Sequence, residues 1–297
     1  MTLFIVALVL IATLGYLAQT TGLCMVRGVN EAASGKPLFL LAIVFSGAFA
    51  WVSVLIARLL ELPVPFISYE ITAMAVAGGL LFGLGAAFNN GCGVSTISKL
   101  ARGQSAMLAT IIGWLAGWVL LATFMPDQQR AHFQIPSEWH YGGLFVLSLV
   151  ILLLVSRLNQ SDKKIWASMM AIGLMAGIVF LYEPKWTPSG LLKDVSLALW
   201  HHAQGRWPSA ERLILIAALV GGMAMAALWT QSFKFELSGW RVFLRHLFVG
   251  ILMGVGAAIA SGGNDSQLLL ALPALSPAGG VVVLSMLIGI YFGKKII

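Results

Sequence analysis

Long apolar runs alternate along the chain with short polar connectors. A helix needs about 20 apolar residues to cross a ~30 Å hydrocarbon core. Runs of this kind occupy 3–18, 38–60, 71–88, 106–124, 142–155, 165–182, 213–231, 242–260 and 279–292. They predict nine membrane-crossing helices, several of them a little short. Polar connectors lie at 61–65, 126–139, 159–164 and 183–212. The runs are continuous rather than alternating, which excludes a closed barrel and leaves an all-α polytopic membrane protein. The amino-terminal run has no positively charged flank before it, so it reads as the first span rather than a removed signal.

The pattern also repeats. Residues 79–97 (GLLFGLGAAFNNGCGVSTI) align without a gap on 250–268 (GILMGVGAAIASGGNDSQL), at an offset of 171, with eight of 19 positions identical. Both stretches end a span, pass through a Gly/Asn/Ser break, continue as a short apolar piece and enter another span. A looser pair, TTGLCMVRGV from Thr20 and TPSGLLKDVS from Thr187, also follows a span in each half. An odd number of spans separates corresponding points, so the halves are expected upside down relative to each other. Inverted repeats with interrupted helices are a transporter architecture, with the substrate path near the midplane. The expected organisation is a single domain over 1–297, with halves at 1–125 and 165–297 and an extra span at 142–157 between them.

Composition narrows the function. Hydrophobic residues make up 59% of the chain and charged residues only 10%, too few to cover a soluble surface. A cytosolic enzyme, a nucleic-acid binder and a disulfide-stapled secreted protein are thereby excluded. No cofactor motif is present: there is no Walker A sequence, no HExxH, and no metal-ligand spacing among the five histidines. His201–His202 reads as a wet loop pair in preference to a metal site.

Candidate chemistry lies in the breaks. The run Asn89-Asn90-Gly91-Cys92-Gly93-Val94-Ser95 cannot face lipid, because its freed backbone groups would go unpaired. It must be buried in protein or line a cavity, with the helix after Gly93 offering free N–H donors and a positive dipole end. That suits an anion, and the Cys92 thiol adds a soft donor. The competing reading is a glycine-mediated helix crossing with Cys92 as a small hydrophobe; the paired asparagines and the matching second break favour the site. Cys24, at the end of span 1 with Arg27 one turn on, falls at the corresponding kind of place. Gly262-Gly263-Asn264-Asp265 is the counterpart break. Asp265 could bind a cation or a proton, or cap the short segment 267–271; since a bare carboxylate would repel an anion, a structural or gating role is favoured over contact with the substrate.

The segments TTGLCMVRGV, NNGCGVSTISKLARG and GGNDSQLLLALP resemble the YeeE/YedE family of sulfur-compound membrane transporters, over essentially the whole chain. The resemblance implies uptake of thiosulfate or a related sulfur anion through a narrow path whose cysteines, here Cys24 and Cys92, contact the passing ion. Members can carry a further cysteine in a Gly-Cys-Pro-Leu-Arg sequence in the second half, where this chain has Gly262-Gly263-Asn264-Asp265 and no thiol.

The leading expectation is therefore a transporter, with no enzyme activity and no cofactor, for a small sulfur oxyanion. A membrane sulfur-relay enzyme forming a persulfide on Cys92 is the alternative, and an assembly protein the third reading. The expected partners are the anion and the lipid bilayer; a cytoplasmic sulfur-acceptor protein would suit such a route, though no residue argues for it. Twelve of the 18 Lys and Arg residues fall after spans 1, 3, 5 and 7 or in the carboxyl tail. By the positive-inside bias the amino terminus lies outside the inner membrane and the carboxyl terminus inside. A reporter fused after Ile297 should behave as cytoplasmic; activity on the outer side alone would reverse the orientation.

Overall fold

The computed structural model describes residues 2–124, 131–200 and 207–296; the His201–His202 pair lies outside them. Among the described residues there is no β-strand, and all nine predicted runs are helical. Eight helical segments are long and apolar enough to cross a membrane, and the run at 106–124 adds a shorter apolar one. Large side chains such as Val9, Leu153, Leu154, Leu228 and Leu284 point outward, an apolar girdle that suits lipid rather than water.

The first half comprises α1 (Thr2–Thr21), α2 (Met25–Ala33), α3 (Leu38–Val44), α4 (Ala50–Leu59), α5 (Ala73–Phe88), α6 (Gly93–Ala101) and α7 (Ala106–Phe124). Then comes α8 (Ser137–Ser156). The second half comprises α9 (Gln160–Tyr182), α10 (Pro188–Trp200), α11 (Ala210–Trp229), α12 (Trp240–Ala260), α13 (Asn264–Ser266) and α14 (Pro277–Ile296). In each half a long helix is followed by a short one, twice: α1 by α2 and α5 by α6, then α9 by α10 and α12 by α13.

Three details differ from the reading of the sequence. The connector 183–212 contains α10, whose Lys193 and Asp194 interrupt an otherwise apolar run and disguised it. The second span is not one helix: a 3₁₀ turn, Ser46–Phe49, divides α3 from α4, because Gly173 of α9 lies directly against the Ser46 carbonyl and Pro273 against Gly47. The segment after α13 is a π-helical turn, Gln267–Ala271, a form associated with functional sites.

The halves are inverted, and the contacts show it. Phe4 at the start of α1 stacks on Tyr182 at the end of α9, with ring centroids 5.9 Å apart, so α1 and α9 finish on opposite faces. At the centre α5 and α12 run antiparallel: Gly78 lies against Ala260, and Gly85 against Met253. Around that pair α7 runs parallel to α12, and α14 parallel to α5. One bond is even made twice. Tyr69 donates its N–H to Ser276 Oγ, and Ser238 donates its N–H to Ser105 Oγ, each at 3.0 Å; Ser105 and Ser276 are one repeat offset apart.

Small residues permit this packing. In lipid the association of helices depends on close van der Waals approach, and Gly78, Gly83, Gly254 and Gly256 place backbone against backbone. Gly256→Ala should therefore cost about 1–3 kcal/mol, since its Cβ would enter the backbone of Phe82. Gly280→Ala, which meets nothing within 4 Å, should leave the melting temperature of the detergent-solubilised protein unchanged or slightly raised. Equal effects at the two positions would contradict this account of the interface.

Candidate functional site

The two long breaks have one backbone design. After α5 the chain turns through Asn90 in the left-handed region, φ 52°, and after α12 through Ser261, φ 59°. Asparagine adopts this conformation at modest cost. Cys92 then caps α6 with φ −77° and ψ 179°; Gly263 caps α13 with φ −77° and ψ −178°. Gly91 abuts Ser95 as Gly262 abuts Ser266. Finally the breaks join: Gly93 donates its N–H to Asn264 Oδ1 at 3.0 Å, a bond between residues one repeat offset apart.

Asn89 holds the first break together. Its Nδ2 donates to Gly91 O (3.0 Å) and Thr96 Oγ1 (2.8 Å), and its Oδ1 accepts from Thr110 Oγ1 at 2.9 Å. His246 Nδ1 lies 2.8 Å from the same oxygen. Asn90 instead turns to the surface, where its carbonyl accepts Lys99 Nζ at 2.8 Å and its Oδ1 accepts Lys294 Nζ at 2.9 Å.

The thiols meet between two half-helix amino ends. Cys24 caps α2 as Cys92 caps α6, both are free, and their sulfurs interact with each other. The arrangement is reciprocal: the backbone of Arg27 and Cys92 lies near the Cys24 sulfur, and that of Met25 and Ser95 near the Cys92 sulfur. Ser95 Oγ lies 3.6 Å from Cys92 Sγ. Converging helix amino ends of this kind favour an anion.

Two cavities flank the pair. Cys24 lines a vestibule of about 440 Å³ with Arg27, Lys99, Arg102 and Asn90. Cys92, 1% exposed, lines an inner cavity of about 20 Å³ with Met25, Met169, Asn264 and Asp265. That is room for one water molecule, so the two cavities differ about twentyfold in volume.

Beyond the inner cavity the second half presents hydroxyls. Ser266 Oγ bonds Thr187 Oγ1 (2.9 Å) and Ser189 Oγ (2.7 Å), and Ser189 donates its N–H to Asp265 Oδ2 at 2.8 Å. On the far face Arg212 pairs with Asp194 at 2.6 Å, with Lys185 3.6 Å from the same carboxylate.

A family model described as "Sulphur transport" matches residues 19–160 and again 153–292, two copies across the two halves. The chain belongs to the sulphur-transport family. It is also 24% identical over 334 aligned positions to the thiosulfate transporter TsuA of Escherichia coli (strain K12), covering 94% of this chain and 90% of that one. With its apolar helices, this member of the sulphur-transport family is a multi-pass membrane protein.

Of the residues singled out from the sequence of this family member, Cys92, Asn264 and Asp265 share the inner cavity. Cys24, Asn90 and Ser95 line the vestibule. Asn89, Gly91, Gly93, Gly262 and Gly263 shape the breaks without facing either cavity. Trp114 of α7 escaped notice, yet it is fully buried and fills the space beside both breaks. A Cβ at Gly93 would lie 2.5 Å from its ring, and one at Gly263 would lie 2.8 Å from it. Its position mid-span was the available signal, since tryptophan concentrates at membrane interfaces. Asn89→Ala strips partners from Thr96, Thr110 and the Gly91 carbonyl. It should lower stability by about 1–3 kcal/mol for each buried group left unpaired, measured as a fall in melting temperature; an unchanged melt would deny Asn89 its clamping role.

Proposed function

We propose that this protein takes up thiosulfate across the cytoplasmic membrane along a path that crosses the paired thiols. The observation that carries the reading is the convergence of two half-helix amino ends on Cys24 and Cys92, between a basic vestibule and an inner cavity. The charge bias of the loops supports a vestibule on the cytoplasmic side; the anion then arrives past Thr187, Ser189 and Ser266 and leaves past Arg27, Lys99 and Arg102.

The chemistry suits an ion that must be held and then released. Hydroxyl, thiol and amide donors each offer one hydrogen bond, and among the described residues no cation lines the inner cavity to trap a dianion. Binding of this moderate kind favours passage. A thiol is also a soft contact for the terminal sulfur of thiosulfate, which hydroxyl-lined sites lack. A persulfide relay on Cys92 has less support: the thiol is closed behind Cys24 to any acceptor protein, and no basic side chain bonds it. The function is accordingly that of a transporter and not of an enzyme.

Uptake of radiolabelled thiosulfate by the purified protein in liposomes tests the path. Cys92→Ser keeps a donor and nearly the same volume, so it should fold normally and slow uptake about tenfold or more, the rate equivalent of 1.4 kcal/mol. Cys92→Ala should cost at least as much, and Cys24→Ala should slow uptake without reducing the yield of folded protein. A thiol reagent should block uptake, and excess thiosulfate should slow that block. Wild-type rates in Cys92→Ala would remove the thiol path.

A further inference from the structure

One wall of the inner cavity is a carboxylic acid. Asp265 is 3% exposed, and no other acidic residue among those described is buried to that degree. Its Oδ2 accepts the Ser189 N–H, but Oδ1 is buried without a hydrogen-bond partner. The surrounding groups are Ser189 from α10, Cys92 at the head of α6, Trp114 from α7, Met169 and Ile172 from α9, and Asn264 and Ser266 beside it. Cys92 is the one other titratable group there, and none is a cation. The cations of the far face, Arg212 and Lys185, pair with Asp194 instead.

Repeat symmetry gives the position its meaning. Gly263 has the backbone conformation of Cys92, but there is no room for a side chain on it. A Cβ at 263 would lie 2.8 Å from Asp265 Oδ1 and 2.9 Å from Ser189 Cβ. The carboxyl group thus crowds the place where symmetry would put a second-half thiol.

Its protonation state decides what that place does. Ionised, Oδ1 is a bare acceptor in a dry cavity on the route of an anion, opposed by lost hydration and by repulsion. Neutral, the same oxygen is an O–H donor to a passing oxyanion. Between passages the amino end of α10, which already holds Oδ2, supports the ionised form.

We propose that Asp265 binds one proton that enters with each anion, so that uptake is a proton symport. The proposal rests on the anion-path reading of the proposed function. The proton joins Oδ1 from the outer side, the anion is then accepted between Asp265 and Cys92, and both leave to the vestibule side. The ionised carboxylate returns to its bond with Ser189 and awaits the next proton.

The purified protein in liposomes, with the membrane potential clamped by potassium and valinomycin, tests the coupling. With one proton per anion, an inward gradient of one pH unit should raise the steady-state accumulation of labelled thiosulfate about tenfold. A pH dye trapped in the lumen should report acidification when thiosulfate is added outside. Asp265→Asn, compared at equal amounts of protein that elutes and melts like wild type, should lose the response to the gradient. Thiosulfate uptake by wild type without luminal acidification would overturn the symport and leave the path intact, as would a gradient response that survives in Asp265→Asn. If that variant does not fold, the wild-type dye signal decides alone. Failure of thiosulfate to enter under any gradient would overturn the path itself, and the symport with it.

Discussion

A backbone that leaves helical geometry inside a bilayer must find partners for its N–H and C=O groups within the protein. Four helices of this chain stop and restart as short helices, and everything near the centre answers to that constraint. Asn89 bonds back to its own break, while Asn264 reaches across to Gly93 of the other half. Because each break completes the other, α5 and α12 must cross closely, and glycine at 78 and 256 is the consequence. Trp114 then seals the remaining space against both turns.

One backbone design therefore appears twice with different side chains hung on it. At one break the caps of the paired short helices are Cys24 and Cys92, and their sulfurs meet. At the other they are Thr187 and Gly263, and the facing groups are hydroxyls and a carboxyl. The inverted symmetry supplies amino ends pointing inward from both faces, an electrostatic environment for an anion. The departure from symmetry makes the two sides chemically different: thiols beside a basic vestibule on one side, and a titratable oxygen among hydroxyls on the other.

Much of this was legible in the residues. The nine apolar runs, the offset of 171 and the placement of both cysteines after spans follow from hydrophobic length and local composition, which act over a few turns and do not depend on partners. The glycine and asparagine runs at 89–93 and 261–264 announced backbone that lipid could not tolerate. The α10 helix was missed because its Lys193 and Asp194 look like connector chemistry when the ion pair that shelters Asp194 is out of view. The division of α3 from α4 was missed for a similar reason, since it is imposed by Gly173 and Pro273 from the second half.

Sequence alone determined that the chain spans a membrane in two related halves, and that its breaks must be buried. Only the tertiary structure decided that Cys24 and Cys92 come together, that Asn89 clamps while Asn90 faces outward, and that Asp265 keeps one oxygen free beside Cys92. These facts depend on contacts between residues as much as 204 positions apart. Helix formation and membrane insertion are local decisions, whereas the content of the central cavity is set by which distant helices approach closely enough to share it.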